Sequence, residues 1–74
     1  MEIIRGSELR HIIEHDLERR GLSGTYYPYS ALLTYVRRHT RITTIGAQTY
    51  YARVGVQTTI DYWFKTHFKE GNVR

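Results

Sequence analysis

The chain contains no cysteine in 74 residues, so neither disulfide bonds nor thiolate metal sites can stabilise it. A domain of this size buries a small core and is only marginally stable when it folds alone. We therefore expect one domain over residues 1–74, stabilised by a compact apolar core or by a homodimer interface. The sequence has no apolar run of membrane-spanning length and its first ten residues do not resemble a signal peptide. These features predict a cytoplasmic or nucleoid-associated protein with no membrane partner.

Positive charge is concentrated in the later two-thirds of the chain. The formal net charge is +4 and the pI is about 9.7. Residues 1–24 carry four Arg against five Asp or Glu, whereas residues 25–74 carry seven Lys or Arg against only Asp61 and Glu70. Arginine outnumbers lysine nine to two, and its planar guanidinium suits bidentate contact with phosphate. This distribution favours an anionic partner, although many small proteins are equally basic without one.

Apolar spacing predicts an all-α fold of about four short helices, with a short β-hairpin or wing as the alternative. The first helix is predicted from Ser7 to Arg20, with Ser7 as its cap. Its apolar residues recur at spacings of three and four and form one stripe: Leu9, Ile12, Ile13 and Leu17. Gly21 and Leu22 predict a Schellman ending, in which the leucine folds back towards the helix. A second helix is predicted from about Tyr29 to His39.

The segment after residue 41 allows two interpretations. It is rich in Thr and Tyr, which favour strands, but the spacing of its Ala, Tyr and Val residues fits one helix face. We predict a helix from about Thr44 or Gly46 to Val54, followed by Gly55 in the left-handed conformation. Alternation from position 54 onward also permits a strand over residues 50–64. A capping pattern of Thr58 with Asp61 and a helical apolar period to residue 68 favour a fourth helix there.

Two helices separated by Gly55, Val56 and Gln57 resemble a helix-turn-helix over roughly residues 44–70. The stretch VGVQTTIDYWFK also resembles the turn and recognition helix of TetR-type repressors. That resemblance depends on seven residues: Gly55, Val56, Thr59, Ile60, Tyr62, Phe64 and Lys65. It implies a sequence-specific or architectural protein that binds double-stranded DNA, such as a small transcriptional regulator, with the helix at residues 57–69 in the major groove.

The predicted contacts divide into two groups. Base edges would be met by residues near the start of the last helix, whose amide, hydroxyl and ring groups can hydrogen-bond: Gln57, Thr58, Thr59 and Tyr62. Phosphates would be held by residues that fix register without reading sequence: Arg37, Arg38, Arg41, Thr44, Arg53, Lys65 and Lys69. A homodimer would double these contacts, and the nearly neutral residues 1–24 are the predicted interface.

The same residues are also compatible with other functions. Basic residues among tyrosines also suit an RNA-binding or ribonucleoprotein subunit, and an aromatic surface could serve a protein-interaction adaptor. Residues 11–15 read HIIEH and match a zinc-protease pattern, but the chain offers no substrate cleft, so we predict no enzyme, metal, cofactor or small-molecule substrate. Asp16 lies within the first apolar stripe, and the sequence leaves open whether it reaches the surface or pairs with an Arg or a Tyr hydroxyl.

Overall fold

A computed structural model of the protein describes residues 2–22 and 26–68, without the side chains of residues 26 and 27. The described chain is mixed α/β, so the prediction of an all-α bundle of four helices is wrong. The elements in chain order are β1 (Ile3–Arg5), α1 (Gly6–Arg19), α2 (Tyr26–Thr40), β2 (Arg41–Ile45), β3 (Gln48–Ala52), a 3₁₀ turn (Arg53–Gly55) and α3 (Val56–Thr66). Within these described ranges, no helix has the length and apolar character that crossing a membrane requires.

The three strands form one antiparallel sheet in the order β1-β3-β2. The hairpin of β2 and β3 lies where a helix was predicted, so that prediction is wrong and the hairpin alternative is confirmed. Its two-residue turn begins at Gly46, whose φ of +62° suits the first position of a tight hairpin turn. Thr, Ile and Tyr stabilise such strands because β-branched and aromatic side chains pack well on a pleated surface.

Helix α1 follows the predicted periodicity, although it begins after Arg5 rather than at a Ser7 cap. Three of its four stripe residues are buried in the shared core: Leu9, Ile13 and Leu17. The predicted Schellman ending is confirmed. Gly21 has a φ of +78°, its N–H donates to the Glu18 carbonyl, and the N–H of Leu22 donates to the Leu17 carbonyl at 2.8 Å.

Helix α2 is three residues longer at its start than predicted, because Pro28 is accommodated within its first turn. One face packs on the core through residues spaced by four: Pro28, Leu32, Val36 and Thr40. The hydroxyl of Thr40 donates to the Val36 carbonyl at 2.7 Å, which satisfies a buried polar group at the helix end. On the other side of the last two turns of α2, four residues are exposed: Thr34, Arg37, Arg38 and His39. Tyr35 and Val36 are turned inward.

Helix α3 closes the core with Val56, Ile60 and Trp63. It begins one residue after Gly55, which has a φ of −94°, so the predicted left-handed turn is absent there. Over residues 44–68, the described part of the predicted motif, the chain forms most of a hairpin, a 3₁₀ turn and one helix rather than two helices. The predicted capping pair is also wrong, because Thr58 and Asp61 both lie inside the helix.

Candidate nucleic-acid interface

A stretch of forty residues, 21–60, contains four arginines and no aspartate or glutamate. The fold brings three of these arginines together where α2 ends and β2 begins. They line a cleft of about 210 Å³ with two residues of β3, and we call it the arginine cleft: Arg37, Arg38, Arg41, Thr49 and Tyr51. The clustering follows from the chain path, because β2 continues directly from the last turn of α2 and pairs back onto β3.

One arginine of the cleft is held in place by a buried tyrosine. Tyr51 is 2% exposed and lies on the core face of β3 opposite Ile4 of β1. The Nε of Arg37 donates a hydrogen bond of 3.0 Å to its hydroxyl. This bond fixes the guanidinium while leaving its two terminal nitrogens without a hydrogen-bonding partner among the described residues. A guanidinium fixed in this way loses little side-chain entropy when it binds an anion.

The arginine cleft keeps its positive charge. Among the described residues, no carboxylate lies within 4.0 Å of Arg37, Arg38 or Arg41. Three other arginines lie within 4.0 Å of carboxylates: Arg19 contacts Asp16, Arg20 contacts Asp16 and Asp61, and Arg53 contacts Glu2. The cleft therefore presents three guanidinium groups that can interact with an external anion.

The hairpin adds hydroxyl groups beside these cations. Thr44 lies opposite Thr49 in the β2–β3 register, and their hydroxyl oxygens are 3.1 Å apart. Thr49 also lines the arginine cleft. Four of the seven predicted phosphate contacts are therefore brought to one surface: Arg37, Arg38, Arg41 and Thr44.

The predicted base-contact residues of α3 face several directions. The Gln57 amide donates to the carboxylates of Asp16 at 3.2 Å and Asp61 at 3.0 Å, so its donors are used within the protein. Thr59 is half-buried and its hydroxyl donates to the Gly55 carbonyl at 2.7 Å. Three residues of the predicted face are exposed: Thr58, Tyr62 and Lys65.

Two predicted phosphate contacts lie away from the cleft or outside the described residues. The Arg53 guanidinium lies 3.6 Å from the Glu2 carboxylate, just beyond the Ile3–Ala52 pair of the sheet, and does not line the arginine cleft. This contact joins the 3₁₀ turn to the residue before β1, where the Arg53 N–H also donates to the Glu2 carbonyl. Lys69 lies outside the described residues.

Asp16 joins α1 to α3. Its side chain is 3% exposed and accepts hydrogen bonds from Arg19, Arg20 and Gln57. Burial raises the pKa of the Asp16 carboxyl, but the hydrogen bonds from Arg20, Gln57 and Arg19 outweigh that effect, and its pKa is lowered overall. The question left open by the sequence is thus answered, since Asp16 is buried and pairs with two arginines of its own helix end.

His11 and His15 line a separate cleft between α1 and the start of α3. Within residues 2–22 and 26–68, no group of three His, Cys, Asp or Glu side chains is arranged to hold a metal ion. The apolar stripe of α1 is used inside the protomer, where Leu9 and Ile13 are fully buried. The predicted homodimer interface at residues 1–24 would therefore depend on other residues of this segment.

Sequence reasoning missed Tyr51 and Thr49 as parts of the arginine cleft. Their involvement depends on strand pairing, which a helical interpretation of residues 44–54 hides. A signal was present in the forty-residue run without acidic residues, which isolates the cleft arginines from any carboxylate nearby in the sequence. No protein-family model, curated protein or solved structure matches the chain. The resemblance to TetR-type repressors stays a prediction.

Proposed function

We propose that this protein binds double-stranded DNA, with the exposed face of α2 in the major groove and the arginine cleft on the adjoining phosphates. The observation that carries the proposal is the arginine cleft itself, with three guanidinium groups free of carboxylate partners among the described residues. Phosphate contacts of this type supply most of the sequence-independent affinity for DNA.

The shape of α2 suits this role. A helix of 15 residues is about 22 Å long, and the major groove of B-DNA, about 12 Å wide, admits one helix. Thr34 and Arg38 lie one turn apart on its exposed face. Arginine can form two hydrogen bonds to guanine, and a threonine methyl can contact thymine. We therefore assign base contact to Thr34 and Arg38, and phosphate contact to Arg37 and Arg41.

The charge of α3 supports α2 as the groove helix. Residues 56–66 carry one aspartate and one lysine, whereas the last turn of α2 has Arg37, Arg38 and His39. The Asp61 carboxylate on α3 would repel phosphate, and its contact with Arg20 ties this part of α3 to α1. The exposed α3 residues Tyr62 and Lys65 provide a matched comparison, because they belong to the predicted recognition helix.

Binding of a mixed-sequence duplex of about 20 base pairs, two helical turns, tests the proposal by fluorescence anisotropy at several salt concentrations. Arg41→Ala removes a phosphate contact, so it should weaken binding and reduce the slope of log K against log salt by about 0.9. Arg38→Ala removes a base contact and should also weaken binding. Lys65→Ala should leave both quantities unchanged. If Lys65→Ala or Tyr62→Ala causes the larger loss, α3 is the groove helix instead.

The same sequence as duplex RNA and as single-stranded DNA tests the class of nucleic acid. The major groove of A-form RNA is deep and narrow, so a helix such as α2 cannot enter it. We expect the B-form duplex to bind most tightly. Equal or tighter binding of either alternative would contradict the proposal and would support the RNA-binding hypothesis.

A homodimer is part of the proposal, because one protomer offers few phosphate contacts and a two-fold pair would double them. Sedimentation equilibrium with and without the duplex measures the stoichiometry. Two protomers for each duplex are expected, and a single protomer on a saturated duplex would contradict this part of the proposal.

A further inference from the structure

A cleft of about 540 Å³ lies between α1 and the start of α3, and we call it the histidine cleft. Five of its eight lining residues belong to one face of α1, and the other three come from the 3₁₀ turn and the first turn of α3. None of them lines the arginine cleft. The volume falls within the range of about 300–1,000 Å³ that is usual for small-molecule sites. The sequence does not indicate this cleft, because two distant segments form it.

Two histidines one turn apart line the cleft, and both are exposed: His11 and His15. Neither takes part in a hydrogen bond, an ion pair or a ring contact within residues 2–22 and 26–68, whereas His39 and His67 each do. A neutral imidazole donates one hydrogen bond and a protonated one donates two. Each histidine of the cleft therefore has at least one donor available to a ligand.

Two arginines of the same cleft also keep donors available. One terminal nitrogen of Arg19 donates to Asp16, and its other nitrogens have no partner among the described residues. The side chain of Arg53 makes no hydrogen bond in the part of the chain that the structure describes, and the Glu2 carboxylate 3.6 Å from it is 72% exposed. An ion pair this exposed contributes little because water screens it, so a ligand in the cleft can compete for Arg53.

The histidine cleft is positively charged although Asp16 lines it. Both carboxylate oxygens of Asp16 already accept hydrogen bonds, Oδ1 from Arg19 and Gln57 and Oδ2 from Arg20. The lining side chains thus carry two guanidinium charges against one carboxylate. Arg20, which does not line the cleft, offsets part of the charge of that carboxylate. The excess of positive charge favours an anion.

A metal ion fits these residues less well than an anion does. Histidines one turn apart can coordinate zinc, but a closed zinc site needs four ligands. The described residues contain no group of three His, Cys, Asp or Glu side chains that could hold a metal. The guanidinium groups of Arg19 and Arg53 would also repel a cation.

Apolar side chains give the cleft a surface for carbon atoms. Ile12 is half-buried and packs against the core, Val56 is 1% exposed, and both line the cleft. A ligand that combines an anionic group with a carbon skeleton would contact both kinds of surface.

We propose that the histidine cleft binds a small organic phosphate, with the phosphate group on its two histidines and two arginines and the carbon skeleton against Ile12. A phosphate group presents three acceptor oxygens and a charge of about −1.5 to −2 at pH 7. It therefore matches four donor side chains better than the two oxygens and single charge of a carboxylate do. Arginine pairs with phosphate through two parallel hydrogen bonds. This site goes beyond the proposed DNA binding and does not depend on it.

Phenyl phosphate is the probe, and nuclear magnetic resonance of the histidine side chains is the measurement. The chain has four histidines, so His39 and His67 serve as internal controls in the same spectrum. The signals of His11 and His15 should shift together and saturate, with a Kd of about 1 mM or lower, while those of the other two stay in place. Benzoate and inorganic phosphate should each bind at least about fivefold more weakly, because one lacks the phosphate and the other lacks the carbon skeleton.

Two variants and one matched control assign the site, with binding followed through the backbone amide signals of the first turn of α3. The amide spectrum also shows that each variant is folded. The double variant His11→Ala with His15→Ala should bind phenyl phosphate about tenfold more weakly or worse, and so should Arg53→Ala. Arg10→Ala removes the same positive charge from an exposed position of α1 that does not line the cleft, and it should bind as wild type does.

Several results would overturn the proposal. They include no shift at any histidine, and shifts confined to His39, which lies in the last turn of α2 beside the arginine cleft. Equal losses in Arg53→Ala and Arg10→Ala would show only a general effect of net charge. The double histidine variant should bind the duplex as wild type does, and a parallel loss of duplex affinity would make the histidine cleft part of the DNA surface instead. Duplex binding without phenyl phosphate binding would overturn this site and leave the proposed function intact.

Discussion

The hydrogen bond from Arg37 Nε to the Tyr51 hydroxyl, 3.0 Å long, joins the last turn of α2 to the central strand of the sheet. The ring of Tyr51 is buried in the core, and its hydroxyl lies at the arginine cleft, where it accepts the hydrogen bond from Arg37. The same residue therefore packs the core and orients a cation at the proposed DNA surface, which couples the stability of the fold to the geometry of binding.

Tyr51→Phe should weaken DNA binding while lowering the free energy of unfolding by no more than about 1.5 kcal/mol. The phenyl ring still fills the core, but Arg37 loses the acceptor that orients it, and a hydrogen bond of this kind contributes about 0.5–1.5 kcal/mol. We expect a roughly two- to tenfold loss of affinity by anisotropy. In an Arg37→Ala background the same substitution should have no further effect. Equal losses in both backgrounds would show that the hydroxyl does not act through Arg37.

Asp16→Ala should destabilise the protein more than the substitution of an exposed acidic residue does. It removes the acceptor shared by Arg19, Arg20 and Gln57 and leaves their donors without it at a partly buried site. Breaking such a pair costs about 3–5 kcal/mol when both partners are buried. Because the arginines are partly exposed, we expect about 2 kcal/mol by urea unfolding. Glu14→Ala, an exposed acidic position on the same helix, should change stability by less than about 0.5 kcal/mol.

The same carboxylate should make stability depend on acid pH. The pKa of Asp16 is lower in the folded protein than its ordinary value of 3.8, so the folded state binds the proton less readily than the unfolded state. The contribution of the Asp16 carboxylate to the free energy of unfolding is fully present above pH 3.8. It is lost as the pH falls through the lower pKa that Asp16 has in the folded protein. Urea unfolding from about pH 6 to pH 2 should therefore show that the free energy of unfolding falls more steeply for wild type than for Asp16→Asn. Parallel curves would place the acid sensitivity on other carboxylates.

Substitution of Gly46 by alanine should lower stability, whereas the same substitution at Gly55 should not. Gly46 has a φ of +62° at the hairpin turn, where an alanine side chain costs about 1 kcal/mol or more. Gly55 has a φ of −94°, and an added Cβ would meet only the Thr40 methyl at 3.8 Å, an ordinary contact. Thermal unfolding should show a lower Tm for Gly46→Ala and no loss for Gly55→Ala. A loss at Gly55 alone would favour the turn conformation predicted from the sequence.

Local patterns in the sequence were sufficient to predict structure where all of the interacting residues belong to one element and its end. The period of Leu9, Ile13 and Leu17 predicted α1, and the adjacent Gly21 and Leu22 predicted its Schellman ending. Both depend on interactions within a few residues, which the sequence displays directly. The absence of Asp and Glu from residues 21–60, which keeps carboxylates away from Arg37, Arg38 and Arg41 along the chain, is equally visible in the sequence.

Strand pairing could not be inferred in the same way. The spacing of Tyr50, Tyr51 and Val54 fits a helix face, and their β propensity competes with that period. The conflict is resolved by Ile3–Arg5, a strand of three residues whose pairs with β3 are 45 to 49 positions apart in the sequence. Three residues are too few to show an alternating pattern, so no local signal indicates that β1 is the second partner of β3.

The sequence by itself determined the helical character of α1, α2 and α3, the turn at Gly21 and the separation of acidic from basic residues, because periodicity, backbone preference and charge are properties of neighbouring residues. Tertiary structure alone decided that β1 pairs with β3, that Tyr51 orients Arg37, and that Asp16 receives Gln57 from a helix 41 positions away. These contacts join segments that are distant in the sequence. They stabilise the protein only when the folded core has brought the two segments together and excluded water from around them.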